Sequence, residues 1–254
     1  MSVVISGTGL FTPKDFITNE ELVESYNKYA DIYNSENEKE IATGELEALT
    51  HSDAAFIKKV SGIEKRYVLD KEGILDPHRM RPNLEERPND QISVQAEISI
   101  SACLEALDQA GKSPSDVDAV ICGCANLQRA YPAVAIEIQK ELGIEGYAYD
   151  MNVACSSSTF ALQNAVNDIL SGVADCILVV NPDICSGHLN FKDKNGHFIL
   201  GISNRLEQVI ANLLDNSISF SQNNQKIEIR LEETSNNLLM VIKDEGPGFS
   251  ETSP

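Results

Sequence analysis

Three short segments constrain the fold more than anything else in this chain: "AVICGCA" (119–125), "GYAYDMNVA" (146–154) and "CILVV" (176–180). Each is apolar nearly throughout instead of alternating, so each predicts a strand buried on both faces. Helical patterns separate them. "YPAVAIEIQKELG" (131–143) predicts a helix with Pro132 in its first turn and Gly143 as terminator. A second helix is predicted over 156–171, where Val166, Ile169, Leu170 and Val173 keep helical spacing. Strands of this kind alternating with helices predict an α/β fold with a parallel or mixed sheet, covered on both faces.

Upstream the alternation continues. "SVVIS" (2–6) predicts a first strand closed by a Gly-Thr-Gly turn. A helix is predicted from Thr18, with Thr18 and Glu21 spaced as a capping box. "AAFIKKVSGIEKRYV" follows at 54–68, then a polar, Pro-punctuated loop over about 69–90. A strong helix is predicted over 91–110. Ile100, Cys103, Leu104 and Leu107 form its apolar stripe, and Gly111 suits the position after its end.

The texture changes after about residue 195. "SNRLEQVIANLLDNSISF" (203–220) predicts one amphipathic helix, with Asn204 and Glu207 as its capping box. "KIEIRLEE" (226–233) alternates strictly, so Ile227, Ile229 and Leu231 share one face of a half-buried strand. A "TSNN" turn leads to a second strand that runs into "DEGPGF". The order helix, hairpin, loop breaks the earlier alternation. Two domains are therefore expected, 1–195 and 196–254, with a seam near 192–201.

Charge and cysteine usage narrow the function classes. A net charge of −19 over 254 residues excludes nucleic acid and anionic membrane surfaces as general partners. Nine acids against two lysines fall between Glu20 and Thr50, a solvated helix and loop by composition. No apolar run approaches the roughly 18–20 residues of a membrane span. The start "MSVVISGTGLF" lacks the basic region of a signal peptide, and six cysteines without framework spacing point to reduced thiols in the cytoplasm.

The candidate nucleophile is Cys155, in "DMNVACSSSTFAL" (150–162), where a strand runs through a small-residue turn into a helix. A thiol at the start of a helix sits at the positive end of its dipole, which favours the thiolate. The serines that follow leave room for a thioester carbonyl, and backbone N–H groups there could supply an oxyanion hole. A buried structural cysteine is the alternative. Cys122 and Cys124 point to the same side of a buried strand and read as core, with a metal pair as the alternative, and Cys103, Cys176 and Cys185 read as small core or near-surface residues.

"DMNVACSSSTFALQNA" resembles the nucleophile segment of the β-ketoacyl-acyl-carrier-protein synthase III family, of the thiolase fold. The resemblance runs from residue 1 to about 195. It takes in "VVISGTGLFTPKDFITNEEL", "FIKKVSGIEKRYV", "ALDQAGKSPSDVDAVICG" and "GVADCILVVNPDICSG". It implies the N-terminal half of a thiolase-like fold and Cys155 as the acyl-accepting residue. It implies acyl-CoA and acyl carrier protein as partners, a homodimer, and acyl transfer without a cofactor, followed by decarboxylative condensation with malonyl-carrier protein. Phe56 and Val60 stand where short-type members carry the tryptophan and arginine that hold the CoA adenine. None of His51, His78, His188 and His197 lies in a segment resembling the family's catalytic histidine or asparagine motifs. Half of such a fold would also leave the apolar face of the helix after Cys155 uncovered.

"NLLDNSISFS" followed by "VIKDEGPGF" resembles a different family, the histidine-kinase ATP-binding domain, an α/β-sandwich of the Bergerat type. That resemblance implies a partial ATP-binding fragment. Asn212 and Asn216 would stand on one helix face near Mg²⁺ and the phosphates. Asp244 would receive the adenine amino group, and Gly246 and Gly248 would let the loop pass close to the base. Three readings follow: a synthase III-type acyltransferase, a nucleotide-binding fragment of a sensor kinase, or a join of two unrelated fragments with no unified function.

Overall fold

The computed structural model describes residues 3–199, 228–233 and 238–243. The chain divides into two units, Met1–Ser203 and Asn204–Pro254.

The centre of the first unit is a three-stranded parallel sheet in the order β4-β3-β5. It comprises β3 (Ala119–Gly123), β4 (Tyr147–Met151) and β5 (Ile177–Val180). Central β3 is buried at every position, as its unbroken apolar run requires. Helices α5 (Val94–Ala110) and α6 (Val134–Leu142) cover one face, and α7 (Ser157–Leu170) covers the other. Val120, Cys122, Leu178 and Val180 join Cys103, Leu107 and Ile138 on the first side. Ile121 meets Ala161 and Ala165 on the second. The small alanines let α7 lie close on the sheet.

A second core sits beside this one. Strand β1 (Asp15–Thr18) pairs antiparallel with β2 (Lys65–Val68). Around that pair lie α1 (Asn19–Glu36), α2 (Glu38–Thr43), α3 (Ala54–Ser61) and α4 (Lys71–Leu75). The expected capping box is present: Glu21 N–H donates to Thr18 Oγ1 at 3.2 Å, and Thr18 N–H donates to Glu21 Oε2 at 3.0 Å. Tyr26, Ile17, Leu22, Ile74, Met80 and Phe191 are fully enclosed there. The buried Arg66 guanidinium ties three elements together. It donates to Asn19 Oδ1 at 2.9 Å, to Ile199 O at 3.1 Å and to His197 O. Burial lowers its pKa to about 10.

Four expectations are corrected. Residues 3–13 form no strand, and Val4 and Ile5 are 67% and 64% exposed. The segment crosses α5 instead, where Thr8 N–H donates to Gln109 Oε1 at 2.5 Å and Leu10 N–H to Glu105 Oε2 at 2.9 Å. Helix side chains thus take the donors that a neighbouring strand would have taken. A Cβ on Gly7 or Gly9 would lie 2.0 or 1.8 Å from the carbonyl oxygens of Ala106 and Ala102, so this crossing admits only glycine. Pro132 precedes α6 and is not in its first turn. Leu104 is 48% exposed, because α5 turns Ala96, Ile98, Cys103 and Leu107 inward. The loop after β2 contains α4, capped by Asp70 on Gly73 N–H.

In the second unit, β6 (Glu228–Glu233) pairs antiparallel with β7 (Leu238–Lys243), Glu228 opposite Lys243 and Glu233 opposite Leu238. The helix expected over 203–220 lies outside the described residues.

Candidate active site

The carboxyl ends of the three parallel strands converge on one edge, where ligands bind in open α/β sheets. From β4 the chain passes through Asn152, Val153, Ala154 and Cys155 into α7. Ala154 holds a left-handed φ of 48°, a conformation that costs a non-glycine residue about 1–2 kcal/mol. Ser157, the first residue of α7, brackets this corner. Its Oγ accepts from Val153 N–H at 2.9 Å and donates to Ala154 O at 2.7 Å. Asn152 Oδ1 accepts from Ala154 N–H at 3.0 Å. The result is a tight turn with Cys155 at its outer edge.

Cys155 is exposed, and Cys103, Cys122 and Cys124 are buried. Burial raises Cys103 to about 12. The thiol that the sequence singled out is therefore the one at the surface. The backbone amides beside it are not free for an oxyanion: Ser156 N–H donates to Val153 O at 3.0 Å and Ser157 N–H to Ala154 O at 3.2 Å.

The ends of β3 and β5 complete the edge. A Cβ on Gly123 would lie 2.7 Å from Ser157 O and 2.6 Å from the Asn181 side-chain amide. That close approach lets the start of α7 sit on the sheet. Asp183 Oδ1 gathers Ala125 N–H at 2.8 Å, Asn126 N–H at 3.2 Å and Cys124 Sγ at 3.1 Å. Asn126 Nδ2 points to Cys185 Sγ at 3.7 Å. Burial pushes the Cys185 thiol up.

Sequence reasoning treated Cys185 as bland, yet it shares this edge with Cys155, along with Asp183 and Asn126. Nothing in local spacing could have found them, because their partners lie about sixty residues away. Asp150 also has a role that its motif hides. Its carboxylate accepts from Val134 and Ala135 N–H, both at 2.8 Å, and so caps α6 from β4. Burial raises its pKa, against the pull of those two bonds.

No hydrogen bond among the described residues joins a histidine to Cys155. His51 pairs with Asp31, and His197 is buried between Ser52 and Phe191 O. His188 is exposed beyond the 3-10 turn Cys185–Gly187. Cys122 and Cys124 are core residues, and no cluster among the described residues has the makings of a metal site. Phe56 and Val60 are 56% and 59% exposed on α3, with the Phe198 ring edge-on to Phe56 at 6.1 Å. Phe160 and Leu170 on α7, and Val173 just beyond its end, are at least half exposed. Asn212, Asn216, Asp244, Gly246 and Gly248 lie outside the described residues.

Known proteins give these observations a context. The family 3-oxoacyl-[acyl-carrier-protein] synthase III matches residues 149–202, the stretch that carries Cys155. The family of histidine kinase-, DNA gyrase B- and HSP90-like ATPases matches residues 201–253. A beta-ketodecanoyl-[acyl-carrier-protein] synthase of Pseudomonas aeruginosa is 56% identical over 179 residues, 70% of this chain and 51% of that protein. A beta-ketoacyl-[acyl-carrier-protein] synthase III of Dinoroseobacter shibae is 32% identical over 163 residues, 63% of this chain and 44% of that one. The crystal structure of 3-oxoacyl-[acyl-carrier-protein] synthase III from Aquifex aeolicus superposes with a TM-score of 0.56 at 24% identity, covering 78% of this chain and 50% of that one. The chain thus has the thiolase-like α/β fold of these enzymes and spans about half the length of the curated relatives it matches.

Proposed function

We propose that this chain, whose residues 1 to about 195 resemble β-ketoacyl-acyl-carrier-protein synthase III, accepts an acyl group from acyl-CoA on Cys155. The observation that carries the reading is the exposed thiol at a braced strand-to-helix corner, on the carboxyl edge of a parallel sheet. In the reaction, the Cys155 thiolate adds to the thioester carbonyl. The tetrahedral adduct then expels the CoA thiolate, which takes up the proton lost by Cys155, and the new thioester stays on the enzyme. The second step of the family, decarboxylative condensation with malonyl-carrier protein, would complete synthase III-type chemistry in fatty-acid biosynthesis. On this reading Cys155 serves the first step, and among the described residues no histidine is hydrogen-bonded to it for the second.

The Pseudomonas relative suggests the donor. A β-ketodecanoyl product is an octanoyl group extended by the two-carbon unit of malonyl, so octanoyl-CoA is the first donor to try. The exposed Phe56, edge-on to Phe198, offers an aromatic face to the adenine in place of the tryptophan of short-type members. The experiment is single-turnover release of free CoA from octanoyl-CoA, followed chromatographically. The reading expects stoichiometric release that disappears in Cys155→Ala, and release that persists in that variant would overturn it. Addition of malonyl-carrier protein then tests the second step by the appearance of a β-ketoacyl product. Homodimerisation is expected by analogy and is tested by light scattering. The six cysteines, which lack the spacing of a disulfide framework, support a reducing, cytoplasmic setting.

A second reading concerns residues 196–254 alone and is favoured by the ATPase family match at 201–253. In it, Asn216 would help hold Mg²⁺ against the phosphates with Asn212 beside it, Asp244 would receive the adenine amino group, and Gly246 and Gly248 would let the loop approach the base. Mg²⁺-dependent binding of a fluorescent ATP analogue that vanishes in Asn216→Ala would support it. Absence of saturable binding would leave this segment a join to an unrelated fragment, with no function shared with the acyltransferase part.

A further inference from the structure

We propose that a cleft of about 330 Å³ between residues 76–81 and 190–192 is an anion site that takes a phosphate group. Its walls are Asp76, His78, Arg79, Arg81, Asn190 and Lys192. The proposal goes beyond the acyl transfer assigned to Cys155, since none of these residues belongs to that corner.

The argument is electrostatic and geometric. In a chain of net charge −19, three permanent cations stand together here, and none forms an ion pair among the described residues. Like charges separate unless they are held, and two of these are held by neutral groups. The Arg79 guanidinium donates to Arg81 O at 3.0 Å, Pro82 O at 3.2 Å and Asn83 Oδ1 at 2.9 Å. Lys192 Nζ donates to His78 O at 2.6 Å and lies 4.8 Å from the centre of the Tyr29 ring. Carbonyls fix their positions without cancelling their charge. The exposed Arg81 makes no side-chain hydrogen bond among the described residues, so its whole fork of donors is available. The one carboxylate on the rim, Asp76, is turned to its own backbone, accepting from His78 N–H at 2.9 Å.

A cleft with two cations held in place and a third, the Arg81 fork, unbonded beside them suits a compact oxyanion better than a flat protein surface. Its volume falls at the low end of the roughly 300–1,000 Å³ of small-ligand pockets. Arginine forks match phosphate geometry bidentately. The phosphate could belong to the CoA substrate or to a separate phosphate ester, and the experiment distinguishes them.

Inorganic phosphate is titrated calorimetrically into the full chain at low salt. The expected result is saturable binding that Arg81→Gln weakens by about tenfold, the loss of one charged hydrogen-bonding partner. Lys192→Gln attacks the opposite wall and should weaken binding similarly. Lys140→Gln removes an equal charge from the exposed side of α6 and should leave the affinity unchanged. The Arg81 side chain is exposed and makes no hydrogen bond among the described residues, so its variant should keep the wild-type circular dichroism. Non-saturable binding, or equal loss in Arg81→Gln and Lys140→Gln, overturns the proposal. Given specific binding, CoA titrated into wild type and Arg81→Gln identifies the source. A parallel drop assigns the phosphate to CoA, and unchanged CoA affinity assigns it to a separate ester.

Discussion

Replacing Glu137 by glutamine should unbalance the join between the two helices on one face of the sheet. Glu137 lies on α6 with only 6% of its side chain exposed, and its partner Arg129 has 11%. Their contact is 2.7 Å. The same carboxylate accepts from Ser93 N–H at 3.2 Å and Ser93 Oγ at 2.5 Å. Ser93 in turn caps α5 by accepting from Ala96 N–H at 3.1 Å. Glutamine keeps the shape but removes the charge, and it turns an N–H₂ toward donors. Arg129 retains Pro88 O and Gln91 O, but its buried positive charge loses its only carboxylate among the described residues. Breaking a buried pair from one side costs about 3–5 kcal/mol. For a unit of this size that lowers Tm by on the order of 10 °C. Urea unfolding followed by far-ultraviolet circular dichroism reads the cost directly. The companion Arg129→Met variant closes a double-mutant cycle, in which the pair should show a coupling of about 1–3 kcal/mol. A loss below about 1 kcal/mol, or strict additivity, would refute the reasoning that this pair holds α5 to α6.

Three further outcomes follow from the same geometry. Ser157→Ala removes both bonds that brace Ala154 at its positive φ, so acylation or alkylation of Cys155 should slow and stability should fall by about 1–3 kcal/mol. Unchanged rate and stability would show that the corner does not depend on the serine. Gly9→Ala sets a methyl group 1.8 Å from a helix carbonyl oxygen and should cost about 1–3 kcal/mol in a denaturant titration, whereas a neutral result would contradict the close crossing over α5. His197 is held neutral, its pKa lowered chiefly by burial and also by Arg66 and Lys194. Its Nε2–H donates to Phe191 O while Nδ1 accepts from Ser52, so the folded state resists protonation. The unfolded chain binds that proton first, so stability should fall as pH drops below about 6.5, the unfolded value. His197→Gln should flatten that part of the stability profile, and an equally steep profile in the variant would be the contrary finding.

The sheet was legible in the sequence because its strands carry their burial in their own residues. "AVICG" and "ILVV" are apolar on both faces, and both faces are covered. The stops after α5 and α6 were legible for an equally local reason: Gly111 and Gly143 take the left-handed conformation that ends a helix. Cys155 could be placed at a strand-to-helix corner from the small residues around it. What surrounds Cys155 could not, because it is assembled at long range. Asp183 gathers amides from the end of β3, Asn126 reaches Cys185, and Asp150 caps a helix that precedes it. The N-terminal segment misled for a related reason. Apolar residues can make a strand only where a neighbouring strand accepts them, and α5 lies there instead. Of the stripe predicted after Cys155, Leu170 at the end of α7 and Val173 just beyond it are exposed and Val166 and Ile169 are half-buried, whereas Ala161 and Ala165 face the sheet.

The central claim is that the corner thiol takes an acyl group. The most direct measurement is intact-protein mass spectrometry after incubation with octanoyl-CoA, followed by peptide mapping of the adduct. The account predicts a single octanoyl addition on the peptide containing Cys155, absent in Cys155→Ala and cleaved by hydroxylamine as a thioester. An unmodified protein, or an octanoyl group on any other cysteine, would contradict it.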